Sequence, residues 1–387
     1  MKNHESLPNQ DSSIEAFSWV FNIESVSIEL TSRCNLRCHY CSVPHSESYG
    51  AADMSKQRLG DIRSLLKTGN VQSLSLSGRG ELTYMDNWQE AVALFKDAVP
   101  VTHAVLNMAK PLTWEEAEAV LQITSFSFSI DTADRELTLR TRKGADLRTV
   151  ISNIVLLRAV ALACGRPLPF FNIIAVMNES SIFGLKKLAS LAITLGARTL
   201  ILQDLVMDYK GIATDAPVGH ISTLPQERLR EAAVEFLEAS KLLSHHQVGF
   251  TAHPTLTTII QEAISDIPPE KSSITAIEVD SPSLGRYRRH AQPLKPGSTR
   301  FCTMPWEMLL LRSDSQVEVC CGAYGETGSY DGIKSLTEIA NLPAIRRLRK
   351  ELLTGEVNEL CAHCSSAPET SVSAFQEHIR TLYASAP

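Results

Sequence analysis

The stretch Ile28–Pro44, IELTSRCNLRCHYCSVP, decides how the rest of the chain is read. It begins inside a β-type run, Ser25–Leu30, and then carries three cysteines at C-x3-C-x2-C spacing: Cys34, Cys38 and Cys41. In a thiol-reducing compartment, cysteines more often bind metal or do redox chemistry than form disulfides. Three thiolates can hold three irons of a cubic [4Fe–4S] cluster, which leaves the fourth iron open to a small molecule. Zinc is the alternative, but its structural sites take four ligands, normally from paired C-x2-C groups.

Outward from this loop, residues 25 to 205 alternate short β-type runs with amphipathic helical runs, the pattern of a parallel α/β fold. The predicted strands are 25–30, 71–77, 102–107, 124–130, 170–176 and 199–205, with period-2 alternation clearest in Phe126, Phe128 and Ile130. Between them, Leu59, Ile62 and Leu66 share a helical face, as do Leu147, Val150 and Ile154, and Leu185, Leu188 and Leu195. Thr113 with Glu116 forms a capping-box pair, and Gly196 suits a helix end. Six strand–helix repeats fall short of a closed eight-fold barrel, so an open, partial (β/α)6 TIM-like barrel is expected over 23–205. Residues 1–22 form a polar lead-in, and 206–300 connect with one clear helix, from Thr223 through Leu243. A Pro/Gly/Ser-rich stretch then sets off a C-terminal module at 301–387.

The cluster loop resembles that of the radical S-adenosylmethionine (SAM) superfamily, whose members bind the amino and carboxylate groups of SAM at the open iron. The resemblance implies reductive cleavage of SAM to a 5′-deoxyadenosyl radical and an external electron donor such as flavodoxin or ferredoxin. It also implies SAM contacts at the C-terminal ends of the strands. Gly78-Arg79-Gly80-Glu81 is similar to the family's Gly-Gly-Glu motif, with Leu82 where a proline is usual. Ser129 and Asp131 look like the ribose-binding segment, and Arg142 is a candidate partner for the SAM carboxylate. Asn178 and Tyr40 resemble the adenine contacts.

A second cysteine group, Cys302, Cys320, Cys361 and Cys364, supplies four thiolates, enough to complete a cluster without an open iron or to hold zinc. Its order, with Pro305-Trp306, Cys320-Cys321 and a terminal C-x2-C, resembles the auxiliary-cluster modules of the twitch and SPASM subfamilies. The implied architecture is therefore a partial barrel followed by a twitch/SPASM-like domain holding one auxiliary [4Fe–4S] cluster. Cys321, beside the ligand Cys320, could exchange roles with it or donate a hydrogen atom. Cys164 reads as an inert structural residue.

The 387 residues are 44% hydrophobic and 21% charged, with a net charge of −6. That balance argues against nucleic acid or a membrane surface as partner, and the polar N-terminus points to the cytoplasm. Only a short segment precedes the first strand, which favours a small-molecule substrate over a peptide. The expected chemistry is removal of hydrogen from a carbinol carbon of a carbohydrate or aminocyclitol, ending in epimerisation or oxidation. A peptide-modifying SPASM enzyme and a non-catalytic metal-binding scaffold are the competing readings. Asp204 and Glu307 are the carboxylates expected to face the chemistry as general bases. Arg346, Arg347, Arg349 and Lys350 read as the wet face of a helix.

Overall fold

The computed structural model describes residues 10–20, 22–41, 52–167, 170–205, 218–265, 294–320, 327–362, 364 and 367–384. The chain divides into two compact units: one of residues 28–59 and 74–282, the other of 1–27, 60–73 and 283–387.

All six expected strands are present, the last four within the first unit and the first two spanning its limits at residues 28 and 74. In chain order the elements are β1 (Ser25–Ile28), β2 (Arg37–Cys38), β3 (Ser73–Ser75), β4 (Val101–Leu106), β5 (Ser125–Ser129), β6 (Arg142–Lys143), β7 (Phe171–Met177), β8 (Thr199–Asp204) and β9 (Gly249–Ala252). The barrel sheet runs β1-β3-β4-β5-β7-β8-β9. Its pairings from β4 to β9 are parallel, with Leu106 beside Phe128, Ile173 beside Leu200 and Thr199 beside Gly249. The parallel strand β9 comes in addition to the six read from sequence. β7 alternates buried and half-buried residues along its length, the signature of a strand with one face under helices and one toward the barrel interior. Phe126, Ile173, Ala175 and Leu200 are sealed under the outer helices, where Leu157, Leu188 and Ala192 are equally buried. Thr113 and Glu116 make both halves of their capping box, and Gly196, at φ 77°, ends the helix Leu185–Leu195. The helix expected from Thr223 starts three residues later, at Gln226, because Thr223 spends its hydroxyl on the His220 carbonyl instead.

The second unit is built around helices. β10 (Ser298–Arg300) pairs antiparallel with β13 (Glu369–Ser371), and β11 (Met308–Leu311) with β12 (Val317–Glu318). The helix Gln10–Phe17, which the sequence showed only as a polar lead-in, belongs to this unit, where the Phe17 carbonyl accepts from Trp306 Nε1 at 2.8 Å. One sequence reading is corrected here. Arg349 is not on a wet face: it is fully buried, and its guanidinium donates to the carbonyls of Ser18, Pro305 and Ala340 and to Asn341 Oδ1. Burial holds its pKa down, to about 10. The periodicity of the helix Pro343–Thr354 marks charged positions but cannot show that three carbonyls wait for one of them.

Candidate active site

The ends of β1, β3, β5, β7 and β8 each lead into a residue singled out by sequence, as expected for a barrel whose chemistry sits at its C-terminal rim. The cluster loop leaves β1, and its Arg37–Cys38 segment forms a two-residue antiparallel ladder with Arg142–Lys143, placing Cys38 beside Arg142. His39 N donates to the Thr141 carbonyl at 3.1 Å and extends that ladder. Cys38 packs with Leu36 and Ala145 in a small buried cluster, against which Cys34, Tyr40, Cys41 and Ala109 are set. Burial pushes the thiol of Cys34 up to about 11 and that of Cys38 to about 12, the latter opposed by the nearby Arg142. Without a metal these cysteines are neutral thiols, and metal binding must displace their protons.

The Gly78–Glu81 loop lies against the start of the cluster loop. Gly80 N donates to the Thr31 carbonyl at 3.1 Å and Glu81 N to the Arg33 carbonyl at 2.8 Å. A Cβ at Gly80 would strike the Thr31 and Arg33 carbonyls, and one at Gly78 would strike Glu29, so this approach requires glycine at both positions. The Glu81 carboxylate is buried, accepting from Thr83 Oγ1 at 2.8 Å and from Asn107 N at 2.7 Å. Burial raises its pKa against the pull of these donors.

Tyr40, Asp131 and Arg142 are brought together. The Tyr40 hydroxyl donates to Asp131 Oδ2, and Arg142 Nε donates to Asp131 Oδ2 at 2.9 Å and to the Tyr40 oxygen at 2.8 Å. Arg142 Nη1 reaches the Ser129 carbonyl at 3.1 Å, and Val176 N reaches Asp131 Oδ1 at 3.0 Å. Two guanidinium nitrogens, Nε and Nη1, are thus spent on bracing the cluster loop and the end of β5. Asn178 Oδ1 accepts from Ser180 N and Ser181 N, which fixes the amide's orientation. Its Nδ2, fully buried, has no hydrogen-bond partner among the described residues. A buried donor left unpaired costs about 1–3 kcal/mol, and a polar ligand atom would remove that cost.

Asp204 ends β8 with its side chain nearly buried, and Oδ1 lies 2.8 Å from His220 Nε2. Ser222 N donates to His220 Nδ1 at 3.1 Å, so the neutral ring carries its hydrogen on Nε2, directed at Asp204. Sequence reasoning missed His220, which lies sixteen positions from its partner with no motif between. In the second unit Glu307 is exposed at the end of the short helix Met304–Glu307. Cys321 lies outside the described residues.

Cys302, Cys320, Cys361 and Cys364 gather within the second unit. The Cys302 thiol is pushed up to about 12 by burial, and its other neighbours include all three remaining cysteines. Cys361 is likewise raised to about 12 by burial and then by Cys320 and Cys364. Arg300, also missed, wraps the C-x2-C turn. It donates to the carbonyls of Cys361 at 3.3 Å, Ala367 at 3.4 Å and Ala362. Among the described residues no three His, Cys, Asp or Glu side chains converge on a point as a single ion requires. A cube gives each thiolate its own iron, so its ligands need not converge on one point.

A partial barrel with three gathered thiols at its rim and a second, four-thiol module defines the class of a radical SAM enzyme with an auxiliary-site domain. Residues 28–178 match the Radical SAM superfamily, so the chain carries a Radical SAM domain over these residues. The Streptococcus suis protein SuiB is similar in fold, with TM-score 0.60 and 14% identity over 88% of this chain and 70% of its own. SuiB bound to precursor peptide SuiA aligns over 94% of this chain and 79% of its own, at TM-score 0.60 and 15% identity. The anSMEcpe protein with bound AdoMet aligns over 93% of this chain and 96% of its own, at TM-score 0.56 and 15% identity. A search of the curated proteins found no match. The residues present fit the family's cofactors: three gathered thiols suit a cube with one open iron, and the orphaned Asn178 Nδ2 suits SAM. Among the described residues no helix is long and apolar enough to cross a membrane.

Proposed function

We propose that this radical SAM enzyme oxidises a carbinol C–H of a small carbohydrate or aminocyclitol-like substrate, with Asp204 as the base. The observation that carries this reading is the Asp204–His220 pair at the end of β8. When bound, the cluster and SAM supply a 5′-deoxyadenosyl radical able to take a hydrogen atom from carbon. Asp204, with Oδ1 held by His220 Nε2–H, presents its other oxygen to the hydroxyl proton on the same carbon. Loss of that proton and one further electron completes a ketone. Cys302, Cys320, Cys361 and Cys364 would hold the auxiliary cluster that accepts the electron. Tyr40, Asp131 and Arg142 hold the cluster loop against the barrel, and Asn178 keeps a donor for SAM.

Epimerisation needs a hydrogen-atom donor, and the residue assigned that role, Cys321, lies outside the described residues. The test is incubation with SAM, a strong reductant and a panel of polyols and aminocyclitols. The expected product is two hydrogens lighter than the substrate, with 5′-deoxyadenosine formed in equal amount. A product of unchanged mass carrying solvent deuterium would replace oxidation with epimerisation. A peptide substrate is the second reading, supported by the likeness to SuiB, which was solved with its precursor peptide. Product formation from short peptides but from no polyol would establish it.

A further inference from the structure

The turn after β4 is held unusually firmly for a segment that carries no recognised motif. Met108 adopts a left-handed backbone, φ 53°, although its side chain is fully buried, a conformation sparsely populated by residues other than glycine. Asn153 pins it: Nδ2 donates to the carbonyls of Met108 at 2.9 Å and Lys110 at 2.7 Å, and Oδ1 accepts from Leu112 N at 3.0 Å. Strain of this kind persists only where the surroundings over-determine it, and it concentrates at functional sites. What the turn fixes is Asn107. Its amide orientation is set because Ala109 N donates to Oδ1 at 2.9 Å. Nδ2 therefore points the other way, donating to Asn35 Oδ1 at 2.8 Å with Cys34 Sγ at 3.7 Å. Leu36 N adds a second donor to the same sulfur at 3.4 Å. The backbone N of Asn107 meanwhile holds Glu81 Oε2 at 2.7 Å.

We infer that Asn107 is a positioning residue for the cluster: its carboxamide donates to the Cys34 thiolate, sets that ligand's place and raises the cluster's reduction potential. Donors to a cluster's sulfurs stabilise the more negative, reduced state, and second-layer groups of this sort commonly fix ligand orientation. One residue thus joins the Glu81 loop to the first cluster ligand. The inference rests on reading Cys34 as a ligand: wild-type protein that takes up no cluster at all would defeat both, whereas a cluster-bearing wild type with an indifferent Asn107 variant would defeat this one alone.

The test is anaerobic reconstitution of the full chain and of Asn107→Leu and Asn107→Gln, followed by iron counting and a redox titration read by electron paramagnetic resonance. Asn107→Leu keeps the volume and removes the donor. With wild-type iron content its reduced-to-oxidised ratio at a fixed poise should fall about tenfold, a shift of 59 mV for a one-electron couple. Asn107→Gln, which keeps a carboxamide, should lie between Leu and wild type. Full iron in Asn107→Leu with an unmoved midpoint overturns the inference. If Asn107→Leu loses its cluster, retention by Asn107→Gln supports the role and equal loss in both overturns it.

Discussion

Beside Cys38 the cation Arg142 is met by a carboxylate, Asp131, and a phenol, Tyr40, whereas around Cys361 the cation Arg300 is turned onto backbone carbonyls. The first arrangement draws on the cluster loop, the residue after β5 and the backbone of β7, so cluster placement depends on the barrel as a whole. The second is confined to one module, with the β10 residue Arg300 gripping the turn that carries two of the four thiols. Three thiols leave one iron of a cube open and suit a site that reacts, whereas four thiols can close a cube and suit one that stores an electron.

The largest expected effect breaks that division of labour. Cys38→Ala should cut 5′-deoxyadenosine release by about a thousandfold or more and lower bound iron from about eight to about four per chain. Cys361→Ala should lose the same number of irons yet keep 5′-deoxyadenosine release within about threefold, a retention that follows if its cluster is auxiliary. Equal loss of cleavage in both variants would mean that the two groups are not separate sites.

Next in size is stability. Arg142→Met strands Asp131 as a buried charge, which typically costs about 3–5 kcal/mol. Arg300→Met leaves carbonyls unsatisfied and should cost less, about 1–3 kcal/mol. Urea unfolding of the metal-free proteins measures both, and an Arg300 variant as unstable as the Arg142 variant would erase the distinction.

The features legible in sequence were those carried by local spacing. The six strands, the capping box at Thr113 and the close spacings of Cys34, Cys38 and Cys41 and of Cys361 and Cys364 follow from neighbours within a few residues, where periodicity and ligand spacing speak directly. The pairings were not legible. Tyr40, Asp131 and Arg142 each looked like a separate SAM contact, because nothing local reveals that residues about a hundred positions apart bond first to one another. Strand β9, four residues with half-buried and exposed positions, has no apolar run to announce it and is fixed by its register with β8. Asn107 and Arg300 belong to residue types common at turns and on surfaces, and only the carbonyls and sulfur they meet give them meaning.

The smallest effect concerns pH, and here the two groups behave alike. An isolated thiol ionises near 9, and in the folded chain Cys38, Cys302 and Cys361 are pushed up to about 12, chiefly by burial. A folded-state value above the unfolded one contributes stability that is fully present below about 9 and is lost as pH rises toward the folded value. The metal-free protein should therefore lose melting temperature progressively above pH 9. At Cys38 the neighbouring Asp131, Cys41 and Cys34 add to the rise and Arg142 opposes it, and at Cys361 the neighbouring thiols Cys320 and Cys364 add to it. Removing either thiol should flatten the alkaline decline, in Cys38→Ala as in Cys361→Ala, measured by differential scanning calorimetry from pH 8 to 11. A decline as steep as that of the wild type in both variants would show that these thiols do not set it.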